Sequence, residues 1–484
     1  MSMTWRGPVA FAIALVALGV VAGTVRPEAG RVHSPTARAI PVSNSAVVCP
    51  DTTGESDGAT VVTVANVSGQ LPGGSASPAD VKSTPLSGKS AKTSVLGDHP
   101  VSRLSTTTDA TAVLVSATGK GAGAVAADQN RLIPRGQFRA LLSAPCLTPG
   151  TDWWIAGADG RVGYSDRLYL ANPGTTIANI TVTAWSQKGR QEPPALQSYS
   201  VGPDTTAVLP VSQFVPNARW VTLHVHANTG RVTSEVLDRR LSGIQPIGSD
   251  WIPPTLPPGK DLVVPGYLRG DYLHRLLITD PGKHDATVSL RLATTTGNFV
   301  PAGQQNVVVP AGHSVELEMA QSLGGVPGAV VLHSDEDVVA SGFSFADRHL
   351  DRDRFDFQWQ SAAVPITRPA VLPNNAPPFG ETSRIYLTAP DDKAQVRITA
   401  QTGDAKVVTV PAGRTIAWDP IAELGKASYG PLVIVPVGGG DVYASRTLLA
   451  YGAHGPLITC EQPILLPQST TLPVVVQDPR AAVP

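Results

Sequence analysis

Apolar and polar residues alternate along this chain in short runs that Pro, Gly, Asn and Asp interrupt. Residues 178–185 (ANITVTAW) place Ile180, Val182 and Ala184 on one face and Asn179, Thr181 and Thr183 on the other. A period of two, rich in β-branched residues, predicts a strand with one buried face. Residues 286–290 and 394–398 repeat the pattern. Each such strand follows an opening phrase that ends on Pro: RLYLANP at 167–173, RLLITDP at 275–281 and RIYLTAP at 384–390. Their spacings are 275−167=108 and 384−275=109 residues. Residues 61–67 (VVTVANV) form a degenerate fourth copy without the Arg or the Pro. Pro stops a strand because it has no N–H for the ladder.

Two more landmarks recur, one in three of the units and one in all four. Pro and Gly mark a tight turn at 309–315 and 410–416, with a looser version at 201–207. A predicted hairpin runs from 331–334 through Asp335, Glu336 and Asp337 into 338–342, with counterparts at 221–234, 433–445 and 112–126. Short helical turns are predicted before the hairpins, at 210–214, 320–323 and 420–424. Six or seven short strands in about 105 residues predict an all-β chain of four tandem immunoglobulin-like β-sandwiches. A propeller is the main alternative, but its blades repeat every ~40–50 residues. The reading assigns 1–25 to a signal-anchor or signal peptide and 26–46 to a flexible linker. It assigns 47–150, 151–256, 257–366 and 367–475 to the sandwiches, and 476–484 to a tail. The joins between units are Pro-rich, and Pro stiffens a connector.

Composition agrees with this organisation. Gly (46) and Pro (44) supply turns, and only 15% of residues are charged. A net charge of −1 without a basic stripe argues against a nucleic-acid partner. Residues 9–25, between Arg6 and Arg26, are continuously apolar. That run predicts a single-span anchor with Arg6 inside, or alternatively a signal peptide cleaved before Gly23. Either sends the rest of the chain across the membrane. Cys49 and Cys146 bracket the first unit, and a disulfide between them suits an exported chain. Cys460 lies after the last unit without a counterpart of Cys49, and is expected to be free or to pair with another chain.

The apolar start, the Pro/Ala-rich tether and four units with the Asn-Pro strand stop resemble an actinobacterial family of secreted or membrane-anchored proteins of unknown function. The resemblance covers Cys49 to the C-terminus and rests on turn-and-strand grammar. It implies an envelope role and carries over no functional residues.

Candidate chemistry is sparse. The chain has no G-x-S-x-G, H-E-x-x-H or P-loop; Gly119, Gly121 and Gly123 read as a turn, not a phosphate loop. Residues 347–356 alternate Asp with Arg, which reads as an internally paired loop, with Ca²⁺ as the alternative. Trp153, Trp251 and Trp359 each stand at a join, and read as interdomain packing or as platforms for a sugar ring. Arg167, Arg275 and Arg384 read as local structural pairs, or as a ligand row. His224 and His226 share a strand face, a spacing able to bind metal, but no third ligand is evident in sequence. No catalytic residue, cofactor or metal is therefore assigned. The function these observations predict is a non-catalytic, membrane-tethered scaffold or binding protein of the bacterial cell envelope, with an envelope protein or glycan as partner. The alternatives are a carbohydrate-binding module and a glycan-active enzyme. The intact mass of the mature protein tests the anchor: an uncleaved N-terminus is expected, and a chain starting at Gly23 overturns it.

Overall fold

A computed structural model describes residues 38–52, 58–86, 93–97, 99–106, 111–269, 273–347, 355–375, 379, 382–452, 455–467 and 469–472. The described residues are nearly all antiparallel β, in agreement with the expected class. Pro41–Gln468 form one compact unit. Apart from it, Arg38–Pro41 pair with Ser469–Leu472 in a two-stranded ribbon. Residues 38–41 and 44–46 are strand, although their sequence reads as part of the flexible tether.

The sheets of the compact unit fall into four two-layered groups, each with its own core. In the first, the sheet containing Asn44–Cys49 and Val113–Thr118 faces the sheet containing Ala59–Asn66 and Val125–Ile133. The Cys49–Cys146 disulfide lies in that core. In the second, Ile180 and Val182 from one layer meet Leu168, Leu170 and Val236 from the other. The third and fourth repeat the arrangement around Val288, Leu290 and Ile278, and around Val396, Ile398 and Leu387. The alternation in sequence reports these buried faces directly.

The opening phrases form the strands Arg167–Asn172, His274–Thr279 and Thr382–Ala389. Asn172 Oδ1 accepts from the Gly174 amide at 2.9 Å, and Asp280 Oδ1 accepts from Gly282 at 2.6 Å. Asn66 does the same for Ser68 at 3.1 Å. In these three copies the residue is an Asx turn that folds the chain over to the other layer, whereas the fourth group has Ala389 at that place. The helical turns occur as Val211–Phe214, Ala320–Leu323 and Pro420–Leu424.

The predicted hairpins are not hairpins. Val221–Thr229 and Thr233–Ser242 belong to different sheets, as do Leu432–Gly439 and Tyr443–Gly452. In the third group the single strand Gly328–Asp347 passes from one layer to the other. These segments are arches across the core. Two alternating runs joined by a polar turn look the same in sequence whether they pair edge to edge or face to face.

One strand of each group is a free edge of its sheet: Ala140–Pro145, Gln245–Ile252, Phe355–Ser361 and Gly455–Glu461. Each packs against the next, and the fourth packs against the first. The four groups therefore close into a ring around these axial strands. Side chains of one edge accept the backbone donors of the next. Asp250 Oδ2 accepts from the Trp359 amide at 2.8 Å, and Asp356 Oδ2 from the Ile458 amide at 2.8 Å. Thr459 Oγ1 accepts from the Ser143 amide at 3.1 Å and donates to Asp250 Oδ1 at 2.8 Å. Ser143 Oγ donates to Glu461 at 2.5 Å, and Arg446 pairs with Glu461. Burial pushes the Asp250 and Asp356 carboxyls well above the usual carboxylate range. Burial, reinforced by the nearby Glu461, does the same to Asp128.

The joints between groups differ in chemistry. Ile133, Ala140 and Leu142 meet Tyr169, Leu237 and Trp251 between the first and second. Ala65, Val67 and Ala126 meet Val371, Val433 and Leu466 where the ring closes. The Pro-rich join after Ile252 is hydrogen-bonded on both sides: Thr255 N donates to Trp154 O at 2.7 Å and Thr255 Oγ1 to Ala340 O at 2.8 Å.

Glu235 stands opposite Tyr169 and alternates with Leu237, on the face turned to the first group. Burial alone pushes its carboxyl up to about 8 from 4.5. Below about pH 4.5 the group is protonated folded or unfolded and costs nothing. Between about 4.5 and 8 the unfolded chain loses the proton that the folded chain keeps, so stability falls as pH rises, by ~1.4 kcal/mol per unit. Above about 8 the loss is complete. Glu235→Gln is expected to stabilise the protein at pH 8 and to flatten this part of the profile, measured by urea unfolding from pH 4 to 9. An unchanged profile contradicts the assignment.

Candidate functional site

A groove of about 590 Å³ opens where the third group meets the fourth. Its floor is the outer face of the sheet that carries Thr382–Ala389 and Tyr443–Gly452. Alternation puts Thr382, Arg384 and Tyr386 on that face, with Thr447, Leu449 and Tyr451 beside them. Register pairs Arg384 with Thr447 and Thr382 with Leu449, so the two rows lie side by side. Arg269, Thr295, Thr296 and Pro327 from the third group form the facing wall.

The floor is anchored by burial. Leu268, Tyr386 and Ile458 form a small core under the groove. Arg414 donates to Thr295 O at 3.1 Å, and Thr415 Oγ1 to Ala293 O at 2.7 Å, which ties the wall to the floor. Tyr451 stands 65% exposed at the mouth. Arg384 pairs with Asp419 at 3.2 Å, with both side chains partly open to solvent. The arrangement offers an aromatic face, threonine hydroxyls and two guanidinium groups along an open channel. That chemistry suits an extended polar ligand carrying hydroxyls or carboxylates.

The other residues singled out from sequence are dispersed. Arg275 pairs with Glu316 at 2.9 Å and with Glu318, away from the groove. Arg167 lies on the second group, so the three arginines form no row. Most of the Asp/Arg segment at 347–356 lies outside the described residues. Trp251 is 3% exposed and Trp359 is fully buried, which leaves neither a face for a sugar ring. Trp251 packs edge-on to Tyr169 at the first joint. Trp359 lies in the joint between the second and third groups, where Nε1 donates to Asp238 at 2.9 Å. Around it, Phe343, Phe357, Trp220 and Trp359 surround the guanidinium of Arg240, which pairs with Asp238 at 2.6 Å. Gly157, at φ +137, lies flat beneath the Trp359 ring; a Cβ there would come within 2.3 Å of it. Trp153 is partly buried and donates to Val232 O at 2.9 Å. Cys460 is a free thiol, 5% exposed among the axial strands, and burial raises its pKa.

His224 and His226 do share one face, as their spacing predicts. The third donor that sequence reasoning missed is Asp152, brought opposite His226 by the pairing of Asp152–Ala158 with Val221–Thr229. Asp152 Oδ1 lies 2.9 Å from His224 Nε2 and 3.0 Å from His226 Nδ1. The two segments are 72 residues apart in sequence, and only strand register brings them together.

A family model described as "Family of unknown function (DUF5719)" matches residues 101–421 of the 484. No curated protein matches the chain. A solved structure titled "Crystal Structure of Thermotoga maritima 1070" is similar at 16% identity and TM-score 0.18, over 22% of this chain and 95% of that one.

Trp359→Ala is expected to cost roughly 3–5 kcal/mol, because it empties a buried joint and strands the Asp238 acceptor. Trp153→Ala, at a partly buried place, is expected to cost less than half as much. Urea midpoints of the two variants measure the difference.

Proposed function

We propose, for a chain that belongs to the DUF5719 family of unknown function, a non-catalytic role outside the cytoplasm. It acts as a scaffold or binding protein of the bacterial cell envelope, tethered by its N-terminal apolar run, and holds an envelope protein or glycan. The observation that carries this reading is the placement of the shifted carboxyls. Such groups often mark active sites. Here Asp128, Asp250 and Asp356 are fully buried, and they are committed to the axis. They brace a ring of sheets whose outer surface is left for partners. The buried disulfide fits an oxidising compartment.

A second reading, binding of an envelope carbohydrate, is favoured by the groove between the third and fourth groups. The exposed Tyr451 ring can lie on a sugar face while Thr382 and Thr447 meet hydroxyls and Arg384 meets a carboxylate. The second reading places the partner at this groove, and the first leaves it anywhere on the outer surface, the groove included. The full chain, captured from native membranes after cross-linking and tested in parallel on purified envelope polysaccharide, distinguishes them. Tyr451→Ala and Arg384→Ala are each expected to weaken retention about tenfold, ~1.4 kcal/mol, without shifting the unfolding midpoint. Retention equal to the unaltered protein in both variants removes the groove from the reading. Cleavage of the glycan by the pure chain overturns the non-catalytic assignment.

A further inference from the structure

We propose that Asp152, His224 and His226 form a Zn²⁺ site on the outer face of the second group, independent of the groove. Three donor atoms, one from each side chain, lie within 4.8 Å of one another. His224 Nε2 and His226 Nδ1 stand 2.9 and 3.0 Å from the same carboxylate oxygen. Those are hydrogen-bond separations, and a small opening of each brings the donors to the roughly 3.3–3.6 Å that neighbouring ligands show around one tetrahedral ion at about 2.0–2.2 Å. Two imidazoles and one carboxylate are a borderline-soft donor set, which suits Zn²⁺ over Ca²⁺ or Mg²⁺.

Strand geometry positions the donors before any ion arrives. His224 and His226 are alternate residues of Val221–Thr229, so they project from one face. Asp152 lies directly across from His226, and Trp154 directly across from His224. The Trp154 indole stacks on the His224 ring, with centroids 4.3 Å apart and planes 12° from parallel. Trp154 in turn stacks on Trp185 at 5.2 Å and belongs to the core. The aromatic pair therefore fixes the imidazole plane from below, the positioning that metal ligands usually receive from an outer shell. The side chains of Asp152 and His226 are 50% and 44% exposed, so an ion can enter from solvent and keep a fourth position for water or a partner's carboxylate. In the ion-free state each histidine hydrogen-bonds to Asp152. Binding replaces those bonds, with each ring presenting a bare nitrogen and releasing any proton it held there.

The protein carries its own comparison. In the third group Asp261 stands across from His333 in the same kind of register pair, at 2.7 Å, but the residue two before His333 is Val331. That pair lacks the second imidazole, and we assign it no ion.

The full-length chain, purified in detergent without a histidine tag and stripped of metal by chelator, is titrated with ZnCl₂ against a chromophoric competitor. One equivalent is expected to bind at micromolar concentration, and Co²⁺ in its place is expected to give the visible bands of a tetrahedral ion. His226→Ala and Asp152→Asn, both at exposed positions, are each expected to lose at least about tenfold in affinity. His333→Ala is expected to bind as the unaltered protein does. Absence of a saturable equivalent in the unaltered chain overturns the site. So does unaltered affinity in either His226→Ala or Asp152→Asn, or loss in His333→Ala.

Discussion

A sheet edge carries a row of N–H and C=O groups that no strand of its own sheet can satisfy. This protein brings four such edges together at one axis and buries them. Burial without partners would cost roughly 1–3 kcal/mol for each group left unpaired. The cost is met by side chains that reach from one edge to the backbone of the next: Asp250 to Trp359, Asp356 to Ile458 and Thr459 to Ser143. The acceptors reach in the same sense from the second group to the third, the third to the fourth, and the fourth to the first. These three links, together with the apolar joint between the first and second groups, close the ring.

The rest of the molecule is arranged around this constraint. Carboxyls in the axis have to be protonated or paired, which is why their pKa values rise and why Arg446 and Arg139 lie beside them. Outside the axis the joint between the first and second groups is apolar, built on Tyr169 and Trp251, whereas the next one buries Arg240 in a ring cage and pairs it with Asp238. The Pro-rich join at Thr255 is hydrogen-bonded into both neighbours, so it behaves as a clamp between the second and third groups. With the axial edges occupied, the candidate ligand surfaces are on outer sheet faces. The groove floored by Thr382, Arg384 and Tyr451 and the cluster of Asp152, His224 and His226 both lie on such faces.

Much of the secondary structure was legible because each cue is local. Alternation marks the buried face of 178–185, Asn172 and Asp280 carry an Asx turn in their own side chains, and Pro420 opens a helical turn. Cys49 and Cys146 could be paired from their place at either end of one unit. The arches at 221–242 and 328–347 were misread as hairpins because face-to-face and edge-to-edge partners leave the same alternation. Of the candidate site, Arg384 and the two histidines stood out, whereas Tyr451 and Asp152 did not. An exposed Tyr and a strand-end Asp are ordinary residues until register gives them neighbours.

The amino-acid sequence by itself determined the all-β class, the recurring unit and the face each strand buries, since period, turn residues and cysteine placement act over a few residues or within one unit. Tertiary structure alone decided that the units close into a ring, that Asp250 and Asp356 become buried acceptors, that Trp359 is a joint and not a ligand platform, and that Asp152 meets His224 and His226. A period of two records that a face is covered. It carries no information about which distant surface covers it, because any apolar face of matching shape satisfies the same pattern.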